Sequence, residues 1–322
     1  MALSEFELIR RFFTYPARHA VLGVGDDAAI VRVRRGNELV VTTDMLVAGR
    51  HFSPGADPER LGHKALAVNL SDIAAMGATP CWATLAIALP RVDTRWLAAF
   101  MQGFMRLARR HGVDLVGGDT TRGPLNICVQ VMGEVPRGRA LRRDRARPGD
   151  DVWVSGTLGD AALALAAGPL GLAPRDRRAL RLKLDAPAPR VGLGIALRGV
   201  ARSAIDISDG LVADLGHICE RSRVAAVVGL ERLPCSAILK QHRDRPAARA
   251  ALLAGGDDYE LCFTAGGARR LTIAGIARRL GLKLTRVGAI ARRRRGVPLV
   301  TVLDAAGRPM VVKRAGYEHF SG

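Results

Sequence analysis

The chain has 322 residues, 48% of them hydrophobic and only 4% aromatic, which is enough apolar material for a large, mainly aliphatic core and suggests two domains. The net charge of +19 is not the mark of a nucleic-acid arm: only five of the 49 basic residues are Lys, and Arg and Ala are abundant along the whole chain, with one local run at Arg292–Arg295 that reads as a solvated turn. The five cysteines are scattered without a C-x-x-C pair, which argues against a zinc ribbon or a disulfide framework. The absence of an apolar leader or an 18-residue apolar stretch predicts a cytoplasmic chain with no membrane partner.

In chain order, Ser4 and Glu7 form an S-x-x-E capping box, predicting a helix over 5–13. A β-branched run over 38–43 ends at Asp44. Asp57-Pro58 reads as a helix start, with the helix stopping near Gly77. Residues 81–89 are a predicted strand, 93–111 a helix, 113–116 a short strand ending in Gly117-Gly118-Asp119, and 125–135 a strand. The Pro-, Gly- and Arg-rich stretch 136–149 is the expected boundary, dividing a domain of 1–137 from one of 150–322 through a linker of 138–149. Beyond it come strands at 152–155, 204–208 and 259–264, helices at 210–221 and 267–280, and mostly strand over 283–303. Helix and strand alternate in both halves, so the expected class is α/β (α+β).

Carboxylates are few in so basic a chain, and six sets share one setting: an apolar strand or helix, a Gly, Ser or Thr, then Asp. They are Gly25-Asp26-Asp27, Thr42-Thr43-Asp44, Asn69-Leu70-Ser71-Asp72, Gly118-Asp119-Thr120, Asp206-Ile207-Ser208-Asp209 and Gly256-Asp257-Asp258-Tyr259-Glu260. Any one of these is a plausible turn former or helix cap. Asp72 is different. It lies in an otherwise apolar helical stretch, on the same face as Asn69, where a carboxylate needs a partner. Aspartates gathered without basic neighbours call for a cation, and hard oxygen ligands suit Mg²⁺ bound together with phosphate. The machinery is not a Walker P-loop, since none of the five Lys precedes Ser or Thr, and H-R-D and D-F-G are both absent. Gly23-Val24-Gly25-Asp26-Asp27-Ala28 matches G-x-G-x-x-A, but no helix pattern follows it, which speaks against dinucleotide binding.

The segments GVGDDAA (23–29), TTDMLVAGRHF (42–52), NLSDIAAMGA (69–78), GGDT (117–120), ALRRDRARPGD (140–150), AIDISDGL (204–211), GGDDYELCF (255–263) and GYEHF (316–320), in this order, resemble the thiamine-monophosphate kinase family. Its superfamily includes aminoimidazole ribonucleotide synthetase, selenophosphate synthetase and a hydrogenase-maturation protein. The resemblance spans the chain. It implies an N-terminal domain whose strands pair across a homodimer, a C-terminal α+β domain, and ATP with several Mg²⁺ ions in the cleft between them. The implied reaction is phosphorylation of thiamine monophosphate by ATP, the last step of thiamine diphosphate synthesis; a related ATP-using synthetase or ligase is the alternative. Asp27, Thr42, Thr43, Asp44, Asp72, Asp119, Asp206 and Asp209 match the family's metal positions, and Gly118, Asp119, Arg143 and Ser208 its ATP positions. His51 and Glu260 match positions that contact thiamine phosphate, and Tyr317 or Phe320 is expected to hold the thiamine rings. No residue is implied as a general base, because the acceptor oxygen is already anionic. Asp144-Arg145 stands where the family has a small turn, which leaves open whether Arg142 or Arg143 meets ATP.

Overall fold

The computed structural model describes residues 4–166, 171–312 and 316–317. The chain forms two compact units, one of Met1–Ile73 with Ala78–Gly138, the other of Ala74–Gly77 with Arg139–Gly322.

The first unit opens with α1 (Glu5–Leu8), capped by Ser4 as the S-x-x-E box predicts; Glu7 N–H reaches the Ser4 hydroxyl at 3.3 Å. The expected single helix over 5–13 instead continues as a π-helical turn, Ile9–Phe13, which buries both Phe12 and Phe13. Then follow β1 (Ala20–Leu22), β2 (Ile30–Val31), β3 (Asn37–Val47), α2 (Pro58–Ala75), β4 (Thr79–Leu89), α3 (Thr94–His111), β5 (Asp114–Arg122) and β6 (Asn126–Pro136). The long strands form one sheet in the order β3-β6-β4-β5, antiparallel except for β4 with β5. Beyond its first turn helix α2 is buried nearly all round: Leu66, Leu70, Ile73 and Ala74 have no solvent exposure, and the polar Lys64, Asn69 and Ser71 are enclosed with them. Each large side chain so buried contributes about 1.5–3 kcal/mol.

Helix α3 starts at Asp93, whose carboxylate accepts the N–H groups of Arg95 and Trp96, and stops at Gly112 in the left-handed conformation. The two helices touch backbone to backbone. A Cβ on Gly103 would lie 1.7 Å from the Glu59 carbonyl oxygen, and one on Gly62 would lie 1.9 Å from that of Phe100. Strand β5 is longer than the sequence suggests. Gly117, Gly118 and Asp119 pair with Thr84, Leu85 and Ala86 inside the strand rather than ending it. A Cβ at Gly118 would come within 1.9 Å of the Leu85 carbonyl oxygen, so a residue that reads as a turn former is required here by close strand approach.

The second unit contains β7 (Asp150–Ser155), α4 (Asp160–Leu165), α5 (Pro174–Asp185), α6 (Val191–Ala196), β8 (Ser203–Ile207), α7 (Leu211–Ser222), β9 (Val224–Gly229), α8 (Ala237–Gln241), α9 (Pro246–Ala254), β10 (Glu260–Gly266), α10 (Arg270–Leu280), β11 (Leu284–Arg292), β12 (Val300–Leu303) and β13 (Pro309–Met310). Its seven-stranded sheet runs β13-β12-β9-β11-β7-β10-β8 and is antiparallel except for β12 with β9. The predicted strand over 283–303 is thus two strands, each paired with β9. One face of the sheet, through Val152, Val154, Ile205 and Cys262, packs on α7 and α9 in a single apolar core. Asp151 alternates away from that core, and Arg270 of α10 pairs with it at 2.6 Å on the opposite face. Predominantly antiparallel sheets with helices packed on them make both units α+β in construction. No helix among the described residues is long and apolar enough to cross a membrane.

Candidate active site

In the first unit, β3 and the middle of α2 bring Thr42, Asp44 and Asp72 together. The Thr42 hydroxyl donates to Asp72 Oδ2 at 2.5 Å. The Asp44 N–H donates to Asn69 Oδ1 at 3.1 Å, and Asn69 Nδ2 donates to the Ala65 carbonyl at 3.2 Å, so the fully buried amide has a fixed orientation. Burial, and next the charge of Asp72, push the Asp44 carboxyl up to about 7. Two carboxylates this close and this poorly solvated are arranged for a cation rather than for each other. Thr43, the next residue along β3, points to the other face of the sheet, where its hydroxyl accepts from Gln130 Nε2 at 3.2 Å.

Beyond the end of β3, a turn returns His51 to its own strand. The Val47 N–H donates to His51 Nδ1 at 3.0 Å, which places the ring proton on Nε2 and makes that nitrogen a donor. Asp27, Gly118 and Asp119 lie together in a cleft of about 860 Å³, whose other walls include Phe6, Ile9 and Phe13.

In the second unit, β8 carries the buried Asp206 and runs into the Ser208-Asp209-Gly210 turn. Asp214, in the first turn of α7, accepts all three N–H groups of that turn at 3.1, 3.1 and 3.0 Å. Burial, and then the neighbouring Asp209, push Asp214 up to about 7. The 255–259 loop is laid against this turn: Asp257 N–H donates to the Ser208 carbonyl at 2.9 Å and Tyr259 N–H to the Ile207 carbonyl at 2.8 Å. Asp257 and Tyr259 have φ of 66° and 50°, a left-handed backbone that costs non-glycine residues about 1–2 kcal/mol each. Such strain is held by the two strand-like hydrogen bonds and marks a loop shaped for a task. Tyr317 joins the same turn, its N–H donating to the Asp209 carbonyl at 3.0 Å. Asp206, Ser208, Asp209 and Tyr317 are therefore neighbours in this unit; Phe320 lies outside the described residues.

Glu260 begins β10, opposite Ile207, and is buried. It is not an exposed strand-edge carboxylate: Arg190 grips it through Nε at 2.6 Å and through a second nitrogen. Asp258, two residues earlier, takes the Gly159 N–H on both oxygens, and burial, with Glu260 and Asp160 nearby, holds its carboxyl well above the usual carboxylate range.

Arg143 sits in a 3₁₀ turn whose carbonyl accepts the Ser222 hydroxyl at 2.7 Å. Its guanidinium is exposed, while that of Arg142 is committed to Asp144 at 2.5 and 3.0 Å. Sequence reasoning missed Asp214 and Arg190, and named Asp257 among the carboxylate sets without giving it a role. Asp257 was legible inside its Gly-Gly-Asp-Asp motif, whereas Asp214 and Arg190 carry no local signal at all.

Among the described residues, no three His, Cys, Asp or Glu side chains converge as a ready-made metal cage. Two carboxylates with a hydroxyl suit Mg²⁺, which keeps several waters and completes its shell with phosphate oxygens. The donor set fits that ion and not a structural zinc.

A four-stranded sheet backed by two helices, with Asp44 within β3, Asp72 within α2 and Asp119 within β5, defines the class. Residues 25–135 match the family model for the AIR synthase related protein, N-terminal domain. Over the full chain the likeness is narrower. The thiamine-monophosphate kinase of Escherichia coli (strain K12) is 43% identical over 327 residues, covering 100% of this chain and 99% of that relative. The crystal structure of thiamine-monophosphate kinase from Stenotrophomonas maltophilia K279a is 50% identical, with a TM-score of 0.85 over 94% of this chain and 97% of that one. The structure of AaThiL complexed with AMPPCP and TMP is 31% identical, with a TM-score of 0.77 over 98% and 97% of the two chains. The chain belongs to the thiamine-monophosphate kinase family.

Proposed function

We propose that the protein transfers the γ-phosphoryl group of ATP to thiamine monophosphate, giving thiamine diphosphate and ADP. A phosphate oxygen of the acceptor forms the new bond to the γ-phosphorus, and the bond from that phosphorus to the β,γ-bridging oxygen breaks. The acceptor oxygen is anionic near neutral pH, so the task is to bring two polyanions together rather than to remove a proton. The observation that carries this reading is the desolvated Asp44–Asp72 pair with Thr42 beside it, an arrangement for a cation on a scaffold of this family.

Asp27, Thr42, Asp44, Asp72 and Asp119 of the first unit are assigned to Mg²⁺ ions, as are Asp206 and Asp209 of the second; Thr43, whose hydroxyl faces the other side of the sheet, is assigned through its main chain. When bound, these ions supply charge neutralisation between the two phosphate groups. Gly118 and Asp119 offer backbone and carboxylate to ATP, Ser208 its hydroxyl, and Arg143 an exposed guanidinium, that of Arg142 being held by Asp144. His51 holds its Nε2 proton as a donor to the acceptor phosphate. Glu260 takes the acceptor's aminopyrimidine and Tyr317 its rings, the cationic thiazolium favouring an aromatic face.

The N-terminal domain, 1–137, is assigned to nucleotide binding and dimerisation. Strand β3 is an open sheet edge with Leu39, Val41 and Met45 exposed, which a second copy would cover. Five free cysteines, three of them buried, suit a reducing cytoplasm. The test is product analysis with ATP, Mg²⁺ and thiamine monophosphate. Thiamine diphosphate and ADP in equal amounts are expected; inorganic phosphate with a newly joined organic product would replace this reading with a synthetase.

A further inference from the structure

We infer that Arg190 is a positioning residue for acceptor recognition, which fixes Glu260 as a neutralised carboxylate with one acceptor site left for a neutral N–H donor. The inference deepens the assignment of Glu260 to the acceptor and rests on that assignment.

An ionised carboxylate offers about four lone-pair positions. On Oε2, one is taken by Arg190 Nε at 2.6 Å and another by the Ser155 hydroxyl at 2.5 Å. The direction of the second bond is settled by its neighbour: Ser155 Oγ accepts the Leu261 N–H at 2.9 Å, so its own proton goes to Glu260. On Oε1, Arg190 Nη2 takes a third position. One acceptor position remains, on Oε1. Glycine at 156 keeps that oxygen accessible, since a Cβ there would fall 1.9 Å from Oε1, and Gly156 has a φ of +57° that favours glycine in any case.

Glu260 and Arg190 both line a small cavity of about 170 Å³, together with Thr157, Asp160, Lys183 and Asp258. A cavity of about 150 Å³ takes one benzene-sized ring, so this one has room for a single six-membered heterocycle. The guanidinium neutralises Glu260, so the remaining lone pair selects a hydrogen-bond donor by geometry rather than a cation by charge. A ring-bound amino group has that chemistry; an oxygen at the same position offers only lone pairs and is repelled.

The experiment compares thiamine monophosphate with its analogue carrying oxygen in place of the ring amino group, in wild-type, Arg190→Lys and Glu260→Gln enzymes. Lysine keeps the charge but loses the two-pronged grip. Wild type is expected to prefer the amino substrate by at least about tenfold in kcat/KM. In Arg190→Lys, KM for the amino acceptor rises and the preference collapses to within about threefold, with KM for ATP unchanged. If Glu260→Gln keeps the full preference, the assignment of Glu260 to the acceptor fails. If Glu260→Gln loses it but Arg190→Lys keeps it, or if wild type shows no preference, the inference about Arg190 is overturned. Should Arg190→Lys lose its cooperative melt, Ser155→Ala, which removes the third bond to the carboxylate, carries the same test.

Discussion

Replacing Gly103 by Ala puts one methyl group where α3 meets α2, and its cost can be worked from the contact. The new Cβ would stand 1.7 Å from the Glu59 carbonyl oxygen, where a carbon and an oxygen in contact need about 3.3 Å. The helices must part by roughly 1.6 Å, because the obstacle is backbone and has no rotamer to change. Overpacking of this kind costs about 1–3 kcal/mol, and rigid backbone places it near the upper figure. Alanine returns about 1 kcal/mol of helix propensity, leaving a net loss of about 2 kcal/mol and a fall in melting temperature of roughly 4–8 °C. The control is Gly275→Ala in α10, where the added Cβ meets nothing within 4 Å; there the propensity gain stands alone and the melting temperature rises. Calorimetry on both variants measures the pair. Since α2 carries Asn69 and Asp72, Gly103→Ala also lowers kinase turnover. A Gly103→Ala protein that melts at or above wild type would refute the claim that α2 and α3 are locked backbone to backbone.

Asp72→Asn keeps the fold and the Thr42 contact but removes a charge, so turnover falls about 10²-fold and partly recovers at raised Mg²⁺; wild-type turnover at ordinary Mg²⁺ would remove the Asp44–Asp72 pair from the site. Glu134 gives a pH signature. Burial raises its carboxyl, but hydrogen bonds from Arg34 N and Nε and from Asn37 Nδ2, at 2.9, 2.5 and 2.8 Å, outweigh this and hold it below the ordinary value of 4.5. Its folded-state value lies below its unfolded one, so it stabilises the fold above 4.5 and loses that effect as pH falls through the folded-state value. In urea melts Glu134→Gln is therefore less stable than wild type by about 1–2 kcal/mol at pH 7, and the gap narrows in acid; a gap independent of pH contradicts the assignment. Val41→Glu and Met45→Glu, at side chains 51% and 53% exposed on the β3 edge, are expected to convert the proposed dimer to monomers in sedimentation, and an unchanged mass would count against β3 as its interface.

The chemistry-bearing residue types and much of the frame are legible in the order of the amino acids. The capping box at Ser4 and Glu7 formed as read, because both partners lie within one helical turn. Asp72 was identifiable as a carboxylate in need of a partner, because helical periodicity puts it on a face with Asn69 in an apolar stretch. Helices α4, α5, α6, α8 and α9 were not legible: four of them, at five to nine residues, are too short to show a sustained amphipathic period, and their existence depends on the tertiary core they join.

Tertiary structure alone decided the partners. Gly117-Gly118 reads locally as a turn and becomes strand only because β4 lies against it. Burial first, and then the charge of Asp72, 28 positions later in the chain, push Asp44 up to about 7, and both exist only in the folded chain. Arg190 meets Glu260 across 70 residues, and no spacing rule connects them. Backbone periodicity and capping act over a few residues and so are written in the sequence, whereas burial and charge pairing act through space and exist only once the chain has folded.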